Sequence, residues 1–143
     1  MGCCSSKKLS DGTYEPSSFA KMVAVPQKTN FQAQNFSTKH TGEAKVLVVC
    51  TDDGRFKTAN GKIFSSGNHP VEVFLPLMHF KSAGFNIEFA TVSGKPVVLE
   101  VWALPKKDEA VMAFYEEMKP LLATPTKLEA IDLELNGFAG IYL

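Results

Sequence analysis

The apolar positions of this chain fall into short blocks rather than one long periodic pattern. Val46-Leu47-Val48-Val49-Cys50 is a continuous, largely β-branched run, the pattern of a parallel strand covered on both faces. A loop from Thr51 to Gly67 follows, with a turn at Asn60-Gly61. A helix is predicted to start near Asn68 to Pro70, because proline is favoured in a first turn where its missing N–H would be unpaired anyway. Val71, Phe74, Leu75, Met78 and Ala83 are its expected buried face, and Gly84 its stop. Asn86 to Val92 reads as a second strand, Ser93-Gly94 as a turn and Val97 to Val101 as a third apolar run. Asp108 caps a helix expected to end near Met118, before Pro120. Thr124-Pro125 is read as opening another helix to about Asn136-Gly137, and Gly137 to Leu143 as a last, buried strand. Strand–helix–strand order implies right-handed crossovers and a mainly parallel sheet, an α/β fold.

The first 44 residues have a different texture. Residues 9–44 are rich in Ser, Thr, Gln, Asn and Lys, and Tyr14, Phe19, Phe31 and Phe36 occur without a period. The expected organisation is a free segment over 1–15, a linker or docking arm over 16–44, and the α/β domain from Lys45. At the start, Gly2-Cys3-Cys4-Ser5-Ser6 fits an N-myristoylation pattern with Gly2 as acceptor, and Cys3 and Cys4 are placed for palmitoylation. Lys7 and Lys8 add a basic pair. One acyl chain binds membrane only marginally, so a second signal matters. The expected location is the cytosolic face of a membrane, with the bilayer as partner.

Composition adds limits. Lysine plus arginine equals aspartate plus glutamate at 15 each, so no net field draws in nucleic acid. Three cysteines do not make a disulfide framework, and no secretory h-region follows the N-terminus.

Asn60-Gly61-Lys62, Phe64-Ser65, Gly67-Asn68-His69-Pro70 and Glu72 resemble the PfpI superfamily, in its bacterial HchA-type branch of heat-shock chaperones, glyoxalases III and protein deglycases. Ala83-Gly84-Phe85, Ser93-Gly94, Trp102-Ala103, Pro105 and Lys107-Asp108-Glu109 keep the same order and spacing. The resemblance covers about Lys45 to Leu143. It implies a flavodoxin-like three-layer sandwich, without cofactor, whose nucleophile is a cysteine on a sharp strand-to-helix elbow. A Pro-Gly-Gly-His-Gly-type loop should follow the last strand. Neither feature is in this sequence, so the expectation is the front part of such an enzyme, its sheet incomplete at the C-terminal side.

Glu72 carries two readings. On a first helical turn it faces the positive end of the dipole and fits a capping box. By the resemblance it is the catalytic glutamate, a proton shuttle held beside a thiolate in a closed site. His69 is read as a local structural residue whose ring bonds loop carbonyls, with acid/base work as the alternative. Asn68 and Cys50 are possible lining residues. Cys50 is at the functional edge of its strand but has no neighbouring base to activate it. The resemblance also implies a two-His, one-carboxylate metal site. Its positions hold Lys81, Asn86 and Met118, which are poor zinc ligands, and no metal is expected.

Two classes of function follow. One is a glyoxalase III-like or deglycase-like protein acting on a small aldehyde or on glycated or unfolded protein, a homodimer being left open. The other is a non-enzymatic, membrane-tethered chaperone or interaction module.

Overall fold

A computed structural model of the protein describes residues 6–134 and 137–143. Gly2, Cys3 and Cys4 lie outside the described residues. In chain order the elements are β1 (Lys7–Lys8), β2 (Tyr14–Glu15), α1 (Ser18–Ala24), β3 (Lys45–Cys50), β4 (Arg55–Lys57), β5 (Ile63–Ser65), α2 (Pro70–Ser82), β6 (Asn86–Thr91), α3 (Glu109–Ala123), β7 (Thr126–Lys127) and β8 (Phe138–Tyr142). The larger sheet has the order β7-β6-β3-β8 and every pairing in it is parallel. A second sheet, β1-β2-β5-β4, joins the start of the chain to the loop after β3. This is an α/β, flavodoxin-like fold.

The core lies between the larger sheet and α2 and α3. Val46, Val48 and Cys50 alternate on β3, as a strand's period of two requires, and belong to the same buried cluster as Val73, Phe74 and Leu77 of α2 and Val111, Phe114 and Met118 of α3. Phe74 is fully buried and meets Phe114 edge-on at 6.0 Å between ring centroids.

Several expectations change. The stripe of α2 that is fully buried is Pro70, Val73, Phe74 and Leu77, while Leu75 and Met78 are only partly buried. Helix α3 does not stop before Pro120 but runs through it to Ala123. Its buried stripe continues from Met118 to Leu122 past the exposed proline, and this packing outweighs the one lost backbone bond. No helix opens at Thr124-Pro125. Thr124 takes φ −133° and ψ 57°, outside the helical region that the following Pro125 disfavours. Thr126-Lys127 then pairs with Ala90-Thr91 of β6, and a 3₁₀ turn covers Leu128–Ala130. Leu128 and Leu133 remain exposed, so a helix here would have no buried apolar face to stabilise it. The expected helix end at Asn136 falls outside the described residues. Strand β8 is an edge strand, and its central residues, Ala139 to Ile141, are exposed rather than buried.

Residues before Lys45 are also placed. Within the stretch expected to be free, Lys7–Lys8 pairs with Tyr14–Glu15. Further on, the Thr29 hydroxyl and backbone N–H both donate to Asp108, which also caps α3 by accepting from the Val111 N–H. The Phe31 ring lies 4.9 Å from that of His79, and the His40 ring stacks on Phe85 at the same distance. His40 also donates its backbone N–H to the Ala83 carbonyl at 2.8 Å. Gly84 permits this approach: its φ is 93°, and a Cβ there would sit 2.2 Å from the His40 carbonyl oxygen.

Candidate functional site

From β3 the chain crosses through α2 to β6 on one side, while β8 lies on the other side of β3. In open parallel sheets such a reversal of strand order leaves a crevice at the carboxyl ends of the strands, where ligands bind. The structure has a cleft of about 250 Å³ at this place. Val48, Val49 and Cys50 of β3 and Tyr142 and Leu143 at the end of β8 form its floor and one side. Gly67, Asn68, His69, Glu72 and Val73 form the other, at the start of α2. The four residues singled out from the sequence, Cys50, Asn68, His69 and Glu72, are therefore brought together.

Asn68 ties the rim together. Its side chain accepts from the Thr51 N–H at 3.1 Å and donates to the carbonyls of Thr51 (3.0 Å) and Val98 (2.7 Å). Its backbone pairs with the stretch around Leu99: the Asn68 N–H donates to Val98, and Glu100 donates its N–H back to the Asn68 carbonyl at 3.0 Å. Gly67 is needed for this contact, since a Cβ would lie 2.8 Å from the Val98 carbonyl oxygen.

Glu72 stands on the first turn of α2, where the helix dipole favours an anion. The N-cap residue His69 makes no side-chain cap bond, so the reciprocal capping box is not formed. Glu72 is exposed at the cleft rim rather than enclosed as in a closed site. Tyr142 donates its hydroxyl to the Glu72 backbone carbonyl at 2.8 Å and so links β8 to the start of α2. The His69 ring does not bond loop carbonyls through Nδ1: that atom is buried and has no partner among the described residues. Its ring therefore has hydrogen-bonding capacity that the local structure leaves unused.

Sequence reasoning missed Glu100. Partial burial raises its carboxyl above the ordinary range; the nearby His69 counteracts this and the like charge of Glu72 adds to it. Glu100 thus lies within electrostatic reach of Glu72 and His69, beside the cleft rather than in its lining. Nothing local in the sequence marks Glu100, because its approach depends on the pairing of Asn68 with Leu99.

Cys50 is only 6% exposed, and burial pushes its thiol up to about 11. It lines the site without being poised as a nucleophile. Two consequences follow. Alkylation of the native protein by iodoacetamide should be slow at neutral pH and accelerate only as pH approaches 11, and a fast neutral-pH reaction at Cys50 in the folded protein would contradict this placement. The raised folded value means that the native state keeps its proton after an unfolded thiol near ~8.5 has lost its own, so this group lowers stability as pH rises through that interval.

The positions where the resemblance implies a metal do meet in space. Lys81, Asn86 and Met118 line one hollow of about 140 Å³. They do not fit a metal: the Lys81 ammonium is ion-paired with Glu117, an amide is a poor zinc donor, and no lone pair is available from the lysine. Among the described residues no group of three His, Cys, Asp or Glu side chains could hold a metal ion.

No protein-family model matches the chain. Its relatives include proteins of Escherichia coli O157:H7 and of Escherichia coli strain K12 / DH10B, both named protein/nucleic acid deglycase HchA. Each is 38% identical to this chain over 136 residues, 93% of the chain and 48% of the relative. The chain belongs to the PfpI superfamily. Within that superfamily it spans about half the length of the curated relatives it matches. No helix among the described residues is long and apolar enough to cross a membrane.

Proposed function

We propose that this chain supplies the Glu72-bearing part of a deglycase-type site, one that acts on small aldehydes and on the adducts they form with proteins. The observation that carries the reading is the position of Glu72, in the switch-point cleft of a parallel sheet, at a helix start and beside Asn68 and His69.

The chemistry needs a thiolate from a cysteine other than Cys50. That thiolate adds to the aldehyde carbon of methylglyoxal and gives a hemithioacetal. The Glu72 carboxylate takes the proton from the former aldehyde carbon and returns it to the adjacent carbon while the hydroxyl proton passes to the neighbouring oxygen, which turns the hemithioacetal, through an enediol, into a thioester of lactate. Water then releases lactate and regenerates the thiol. With a glycated side chain as substrate, the same carbonyl chemistry releases the side-chain nucleophile. In this reading His69, which lines the cleft, holds a substrate oxygen or steers a proton. No cofactor enters these steps.

A chimera in which residues 45–143 replace the matching stretch of E. coli HchA tests the reading. It is expected to release lactate from methylglyoxal and to clear methylglyoxal adducts from a peptide. A chimera with the folded circular dichroism of its parent but without either activity would overturn it.

A further inference from the structure

Helix α1 is built inside out for a surface helix. Ser17 caps it by accepting from the Ala20 N–H at 3.2 Å. Its one charged residue, Lys21, is turned inward: the ammonium pairs with Glu15 at 2.9 Å and lies 5.7 Å from the centre of the Trp102 ring. Its large apolar residues are turned outward. Phe19, Met22 and Val23 follow the i, i+3, i+4 spacing of one helical stripe and are 52%, 70% and 69% exposed. A surface helix ordinarily keeps its apolar stripe inward and its charge outward, and exposed apolar patches mark interaction sites.

A basic segment meets this helix. Glu15 also lies 3.8 Å from Lys7, so Lys7, Glu15 and Lys21 join β1, β2 and α1 at one place. Lys7 and Lys8 are exposed. From Lys7 the chain needs only five residues to reach Gly2, a span of at most about 18 Å at full extension. An acylation pattern, a basic pair and an outward apolar stripe therefore occur within reach of one another.

We propose that the Phe19, Met22 and Val23 stripe of α1 is a membrane-insertion wedge, seated on an anionic bilayer surface with the help of Lys7 and Lys8. The apolar stripe buries at the boundary of headgroups and acyl chains, and the excess positive charge of Lys7, Lys8 and Lys21 over Glu15 supplies charge complementarity to acidic headgroups. This provides a second signal of the kind that a single acyl chain needs. The proposal is independent of the cleft and its chemistry.

The test uses the full chain produced without acylation and vesicles of phosphatidylcholine, plain or doped with phosphatidylserine. The wild type should co-sediment with doped vesicles. Phe19→Ser, Met22→Ser and Val23→Ser together should weaken that binding at least about tenfold, a loss in keeping with the apolar area withdrawn from the interface. Lys7→Glu with Lys8→Glu should weaken binding to doped vesicles only. The three apolar side chains are exposed, so the triple variant should keep the wild-type circular dichroism. With methyl-labelled methionine, spin-labelled lipid in the vesicles should broaden the Met22 signal and spare that of the buried Met118. Equal binding by the wild type and the triple variant would overturn the proposal, as would an unaffected Met22 signal. So would vesicle-free self-association that the triple variant abolishes, since the stripe would then face a second copy.

Discussion

Glu72→Gln in the chimera with E. coli HchA should lower lactate formation from methylglyoxal by about 10²–10⁴-fold, the range that a positioned acid/base group contributes. The amide keeps the size and reach of the side chain but cannot accept the proton that must move between adjacent carbons. Folding should be unaffected, because Glu72 is exposed, makes no capping box and is tied only through its backbone carbonyl to Tyr142. The helix start loses a favourable charge at the positive end of its dipole, about 0.3–1 kcal/mol, too little to unfold a domain. Stopped-time assays of lactate with thermal melts on the same samples separate the two effects. Loss of melting temperature in step with loss of activity would assign Glu72 a structural role instead.

Phe74→Ala should destabilise the protein by about 3–5 kcal/mol, the usual cost of truncating a large buried aromatic. Phe74 is fully buried between the sheet and α3, with Phe114 at 6.0 Å and Tyr115 at 5.6 Å between ring centroids. Its removal leaves a cavity where the two helices meet, and neither ring can fill it without leaving its own packing. Against a total stability of roughly 5–15 kcal/mol for a natural domain, this is a large fraction. A melt of the variant should fall by roughly 10 °C or more. A shift of a degree or two would mean that the α2–α3 contact is not the centre of the core.

The parts of the fold that were legible in the sequence are those fixed by local chemistry. The β-branched run at Val46 to Cys50 is β3, and Pro70 opens α2 as its missing N–H allows. Gly84 ends that helix region because its φ of 93° is a left-handed turn that glycine adopts without steric cost. The rest depended on partners distant in sequence. Almost every residue of α2 from Val73 to Phe80 is apolar, so the sequence does not say which stripe faces the sheet. Packing into the cluster that β3, β6 and α3 share chose Val73 and Leu77. The Leu128 to Leu133 stretch has helical spacing but nothing to bury it against, and strand pairing with β6 prevailed at Thr126-Lys127. In the site, Asn68, His69 and Glu72 were legible as one short stretch. Glu100 was not, because it reaches His69 only through the backbone pairing of residues some thirty positions apart. A carboxyl group raised by burial and by a like charge beside a cleft is a feature that only the folded chain displays.

The roles assigned in the cleft meet their most direct test in one comparison, the lactate-forming rates of Glu72→Gln and Cys50→Ser in the same chimera. Glu72 at the rim is assigned the proton transfer, and Cys50, with its thiol pushed up to about 11 by burial, is assigned none. Cys50→Ser should keep a rate within a few-fold of the parent chimera, while Glu72→Gln should lose at least about a hundredfold. The reverse order, with Cys50→Ser inactive and Glu72→Gln retaining turnover, would contradict both assignments.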